Sequence, residues 1–147
     1  SSRRLVMAYK KLKPHLIKED LEAKMRKLWH EEYCVKPIIT FDNVIVHFYD
    51  DMFDHCFFES YNRVEKDKSI LSLNRLEKML WIKDTLHDKE KKYYSDRRVA
   101  IVKQNYVVII RFTGYLKAKL VTAYEKNDID NVINGPDFTK PEKFFKK

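Results

Sequence analysis

In the first third of the chain apolar residues recur at three- and four-residue steps. After Pro14, a residue suited to an early helical position, come Leu16, Ile17, Leu21, Met25, Leu28 and Trp29, with charges filling the other face. That spacing predicts an amphipathic helix running to about Tyr33. Pro37 breaks it and opens the extended segment PIITFDNVIVHFY, whose β-branched residues predict two short strands joined by a turn at Asp42-Asn43. The mixed stretch DDMFDHCFFESYNR reads as a single short helix or an irregular connector. In SLNRLEKMLWIKDTLHD the stripe of Leu73, Leu76, Leu80 and Ile82, with Ser72 as N-cap, predicts a helix to about His87.

After a polar turn at 88–92 the period changes. RRVAIVK, NYVVIIRFT and LKAKLVTAY read as strands, and the connections Gln104-Asn105 and Gly114-Tyr115 are short enough for hairpins, so the three should be antiparallel. The middle run is almost continuously apolar, as a strand covered on both faces would be. N-terminal helices followed by a C-terminal antiparallel β-meander make an α+β domain. At 147 residues the chain fits a single domain. It is expected to divide into a helical N-terminal extension (1–36), a core (37–126) and a C-terminal tail (127–147). The tail should fray unless Phe138, Phe144 and Phe145 dock it.

Composition narrows the partner class. Thirty Lys+Arg against 22 Asp+Glu give a formal net charge of +8 and a pI near 9.3, which favours polyanions through steering and counterion release. Two glycines, Gly114 and Gly135, leave no Gly-rich phosphate loop and no dinucleotide fingerprint, so no cofactor is expected. The two cysteines, Cys34 and Cys56, are too few for a disulfide framework and form no Cys-x-x-Cys pair; both are read as buried thiols. No apolar run approaches the roughly 20 residues of a membrane span, and a cytoplasmic protein without a membrane partner is expected.

Alternation puts Ala118, Leu120, Thr122 and Tyr124 on one face of the last strand and Lys117, Lys119, Val121 and Ala123 on the other. One side therefore carries a hydroxyl and a phenol near the strand end. The order of a His-bearing segment (FDHCFFES), an Arg-bearing helix (RLEKMLWIKDTL), an apolar strand (NYVVIIRF) and a last strand closing in Thr-Ala-Tyr (KLVTAY) resembles the phage barnase, EndoU, colicin E5/D and RelE-like nuclease domains over roughly residues 38 to 126. The resemblance implies helical segments leading into an antiparallel sheet, and metal-independent cleavage of RNA to a 2′,3′-cyclic phosphate.

Position by position, the resemblance makes His55 the general acid or base and places Arg75, Thr122 and Tyr124 around the scissile phosphate. The residue types suit that chemistry. An imidazole titrates near working pH, an arginine fork holds two phosphate oxygens, and hydroxyl donors complete the cradle. His47, eight residues earlier in VIVHFY, is the alternative histidine. Lys103, Arg111, Lys117 and Lys119 lie on adjoining strands and form a candidate RNA-binding edge. His15, His30 and His87, set among charges, read as solvated. Asp50, Asp51 and Asp54 beside His55 invite a metal reading, but neighbouring acids point in different directions, so no metal site is expected. RNA, with transfer RNA as one target, is the expected partner, together with an acidic immunity or antitoxin protein. The alternatives are a non-catalytic RNA-binding or virion-associated module, and a divalent-metal nuclease built on the 50–54 acids.

Overall fold

A computed structural model describes residues 11–13, 21–59, 70–93, 97–126 and 140–146. The chain divides into two compact units, one of Ser1–Lys36 with Tyr49–Trp81 and one of Pro37–Phe48 with Ile82–Lys147. In this division the N-terminal helix shares its unit with 49–81, and 37–48 joins the C-terminal strands.

In the first unit, helix α1 (Leu21–Trp29) continues as one wider turn over His30–Cys34, closed by the Val35 amide donating to the His30 carbonyl at 3.0 Å. Met25, Trp29 and Tyr33, four residues apart, are all buried. The expected amphipathic stripe thus holds as far as Tyr33; its start at 14–20 lies outside the described residues. Helix α2 (Met52–Phe57) buries Phe53, Cys56 and Phe57, with Phe57 edge-on to Trp29 at 5.4 Å. A two-stranded ribbon of β3 (Phe58–Glu59) and β4 (Ile70–Leu71) follows.

Ser72 caps α3 (Leu73–Leu76) as its residue type predicts, its Oγ accepting from the Arg75 amide at 3.2 Å. The single helix expected to His87 is instead broken at 77–80 and restarts as α4 (Trp81–Leu86). The Tyr33 hydroxyl donates to the Met79 carbonyl at 2.5 Å and satisfies an acceptor in the break.

The second unit holds a six-stranded sheet. Its strands are β1 (Ile38–Ile39), β2 (Ile45–His47), β5 (Lys91–Tyr93), β6 (Arg98–Lys103), β7 (Tyr106–Gly114) and β8 (Lys117–Glu125), in the order β1-β2-β8-β7-β6-β5. The antiparallel meander is as expected, with hairpins at both predicted connections. Two features were not: β5 adds an edge strand that overlaps the end of the expected polar turn, and β2 pairs with β8 in parallel. In the β1–β2 turn the Thr40 hydroxyl accepts from the Val44 amide at 3.0 Å and donates to Asp42, while Asn43 takes φ 69°.

The register corrects the expected faces of β8. Ile110 pairs with Leu120 but Ile109 with Thr122, so Val121 is an extra residue and the alternation reverses there. Ala118, Leu120 and Ala123 share one face with Phe112, Ile110 and Val108, all buried. Thr122 and Tyr124 share the opposite face with Lys119. On the buried face Phe144 stacks on Phe112 at 4.7 Å and 5°, and Phe145 meets it edge-on at 5.5 Å, so part of the tail docks rather than frays. Burying Phe144 contributes about 2 kcal/mol. Phe138 lies outside the described residues.

Candidate functional site

On the second face of the sheet one end is apolar and the other basic. Ala100, Val102 and Val107 are buried together, with Ile109 and Tyr124 packed against them. Toward the other end of the same face, Arg98 pairs with Arg111, Arg111 with Lys119, and Lys119 with His47. These four residues therefore stand abreast on β6, β7, β8 and β2. Neighbouring strands lie about 4.8 Å apart, so the row crosses roughly 14 Å of sheet. Arg98, Arg111 and Lys119 are exposed and His47 is half-buried. Lys117, exposed and two residues before Lys119, lies on the same face.

Like charges directly opposite each other repel in a sheet, and three cations on one level concentrate positive potential on this face. Half-buried Thr122 and Tyr124 follow on it beyond the bulge. Without Val121 as the extra residue, both would turn to the buried face with Leu120. The bulge is thus what sets a hydroxyl and a phenol on the same face as the basic row.

Of the four expected RNA-binding residues, Arg111, Lys117 and Lys119 come together on this face. Lys103 does not: it is buried, and by alternation on β6 it lies on the face opposite Arg98. Arg98 and His47 complete the row, although Arg98 was not singled out from the sequence and His47 stood there only as an alternative. Their contribution depends on which strands pair, which no local pattern specifies.

The four expected catalytic residues separate into two pairs. Thr122 and Tyr124 stand on the sheet, in the second unit. His55 is exposed in the last turn of α2, and Arg75 lies in α3, both in the first unit. Arg75 is bound up locally: its Nε pairs with Glu59 Oε1 at 3.3 Å, and its Nη1 reaches the Cys56 carbonyl at 3.5 Å. That makes it a tie between α3, α2 and β3.

The acidic run beside His55 disperses. Asp54 accepts from Arg26, which also pairs with Glu22 at 3.1 Å and lies over the Phe53 ring at 4.5 Å. Asp50 turns instead toward the end of α1, where His30 Nδ1 lies 2.9 Å from its Oδ1 and 3.2 Å from its Oδ2. Cys34 is half-buried, not fully buried as expected, and its thiol bonds to the same carboxylate. Those bonds, the His30 contact foremost, hold Asp50 below the usual carboxylate range. Burial, aided by the charges of Asp50 and Asp51, pushes the Cys34 thiol up to about 12. His30-x-x-x-Cys34 is a one-face spacing on a helix, a signal that could have joined the two, although from the sequence His30 reads as solvated and Cys34 as a buried thiol. Asp50 was not, because it arrives from a segment 20 residues away.

No helix among the described residues is long and apolar enough to cross a membrane. No family model matches the chain, and no curated protein or solved structure matches it.

Proposed function

We propose that the protein binds RNA across the His47–Lys119–Arg111–Arg98 row and cleaves it there as a metal-independent endoribonuclease. The observation that carries this reading is the row itself, three cations and an imidazole abreast on adjacent strands with Thr122 and Tyr124 on the same face. In this reaction the imidazole of His47 takes the proton of a ribose 2′-hydroxyl. The freed oxygen attacks the adjacent phosphorus, and Arg111 and Lys119 neutralise the charge that builds on the phosphoryl oxygens. The bond to the 5′-oxygen breaks, that oxygen takes a proton from water, the hydroxide left behind takes the proton held by His47 and restores the imidazole, and a 2′,3′-cyclic phosphate remains.

His47 takes the base role ahead of His55 because it shares a face with the hydroxyl donors and the cations, whereas Arg75, the expected partner of His55, is engaged by Glu59. Structured RNA such as transfer RNA is the proposed substrate, and an acidic protein covering the row is the simplest inhibitor.

The test is incubation with total RNA in excess EDTA, scoring fragments for cyclic-phosphate ends. The parent protein should cleave. His47→Ala should lose about 10²–10⁴-fold in rate while still folding and binding RNA, and His55→Ala should lose much less. Thr122→Val, which removes a hydroxyl at nearly constant volume, should fold and cleave more slowly. Parent-level cleavage by His47→Ala overturns the assignment of the base, and an inactive, folded His55→Ala moves the chemistry to the first unit. RNA binding with no cleavage by the parent leaves a non-catalytic RNA-binding module.

A further inference from the structure

The ligating atoms of His30, Cys34 and Asp50 all lie within 4.8 Å of one another. An imidazole nitrogen, a thiol sulfur and a carboxylate oxygen thus converge from two segments, 30–34 and the turn just before α2. An ion bound at about 2.0–2.3 Å from three such atoms in tetrahedral array needs them roughly 3.3–3.8 Å apart.

The backbone around each group is held by a buried neighbour. Trp29, adjacent to His30, is buried and donates through Nε1 to the Tyr49 carbonyl at 3.0 Å, which fixes the residue before Asp50. Tyr33, adjacent to Cys34, is buried against Trp29 with ring centroids 4.8 Å apart and is tied to the Met79 carbonyl. The Asp50 carbonyl accepts from the Phe53 amide at 3.2 Å. The three groups therefore sit on rigid backbone, as a preorganised ligand set requires. His30 and Cys34 also lie on a π turn, a local widening that recurs at functional positions in helices.

A cysteine nucleophile is the other chemistry such a trio suggests, and the geometry argues against it. The Asp50 carboxylate is the shared partner of the thiol and of His30 Nδ1, which lies 2.9 Å from it, so the thiol is bonded to the carboxylate and not to an imidazole that could take its proton. Calcium and magnesium call for oxygen ligands, whereas sulfur with imidazole and carboxylate suits a borderline-soft divalent ion.

We infer that His30, Cys34 and Asp50 form a binding site for a divalent transition metal of the zinc class, with three protein ligands and a fourth position open to water. Binding displaces the proton of Cys34, and the cation replaces it as the partner of both the sulfur and the Asp50 carboxylate. The site is independent of the proposed RNA cleavage, which uses other residues.

The experiment uses the full chain, stripped of metal, titrated with zinc chloride by calorimetry and with cobalt chloride by absorption. One zinc per chain is expected. The cobalt form should show near-ultraviolet charge transfer from thiolate to metal together with the strong visible bands of a tetrahedral complex. Cys34→Ser should abolish the charge-transfer band, and Cys34→Ser and Asp50→Asn should each weaken zinc binding at least about tenfold, while His87→Gln, at an exposed histidine, leaves it unchanged. Failure to bind one zinc per chain, binding unaltered in both ligand variants, or a cobalt complex without thiolate charge transfer overturns the site. Should Cys34→Ser or Asp50→Asn fail to fold by circular dichroism, the cobalt spectrum of the parent chain decides.

Discussion

Single side chains here take their chemistry from what lies beside them. Cys34 is only half-buried, yet that burial first, and the charges of Asp50 and Asp51 with it, keep its proton on. A thiol whose pKa is about 12 has little thiolate at pH 8, so alkylation of metal-free protein by iodoacetamide should run at least about tenfold slower at Cys34 than at a free cysteine. Asp50→Asn removes the neighbouring charge and should accelerate it; mass-spectrometric mapping of labelled peptides over time reads both rates, and an unaltered rate in Asp50→Asn removes Asp50 as the cause. Leu116 shows the same dependence on surroundings in its backbone. It takes φ 50° in the β7–β8 turn while Gly114 does not use the left-handed region. A Cβ built on Gly114 meets nothing within 4 Å. Gly114→Ala should therefore stabilise the fold by about 0.4–1 kcal/mol through a less flexible unfolded chain, measurable as a higher denaturant midpoint.

At the scale of elements, the edge strand β5 is held by an ion pair as well as by its ladder. Lys91 Nζ meets Asp42 Oδ1 at 2.5 Å with both side chains largely buried, which ties β5 to the β1–β2 turn at the opposite edge of the sheet order. Burial pushes Lys91 below the usual lysine range in spite of Asp42. Burial pushes Asp42 up, but the hydrogen bonds from Lys91 and Thr40 together outweigh it and leave the carboxyl below its ordinary value. Lys91→Met leaves that carboxylate without its cation and should cost about 3 kcal/mol in urea unfolding, most of it recovered in the double variant with Asp42→Asn. The sign with pH follows from Asp42. A depressed folded pKa contributes stability above the unfolded value near 4, and that stability is lost as pH falls through the lower folded value. The parent protein should therefore weaken below about pH 4, and this acid loss should shrink in the double variant. An identical acid profile in both would remove the pair as its source.

At the scale of the whole molecule, the net charge of +8 acts through where the cations stand. If RNA lies across the row, each neutralised phosphate steepens the fall of affinity with salt by about 0.7 in a plot of log K against log salt for a single strand. Arg111→Gln and Lys119→Gln should each lower that slope by roughly this amount, and Lys103→Gln, at a buried position, should not lower it. Filter binding between 50 and 200 mM salt reads the slopes, as an order-of-magnitude range for such titrations. Equal slopes for the parent, Arg111→Gln and Lys119→Gln would take the RNA off this face.

Local periodicity made much of the fold legible. The four-residue recurrence through Met25, Trp29 and Tyr33, the Ser72 cap and the three C-terminal strands with their hairpins all follow from contacts between residues close in sequence. Position by position, the same reasoning reached Arg111, Lys117 and Lys119. It failed where partners are distant. The Tyr33 hydroxyl that meets the broken helix comes from 46 residues away, β2 reaches β8 across the chain, and the extra residue at Val121 reverses a face that strict alternation assigns the other way. Side-chain period is set by the backbone of one segment, so the sequence by itself determined the helix through Tyr33, the start of the helix at Ser72, the three C-terminal strands and which stretches carry the positive charge. Register and pairing are set by contacts that close long loops, and one residue of slip turns every side chain over. Only the tertiary structure, for that reason, decided that His47, Lys119, Arg111 and Arg98 stand in one row and that His30, Cys34 and Asp50 meet.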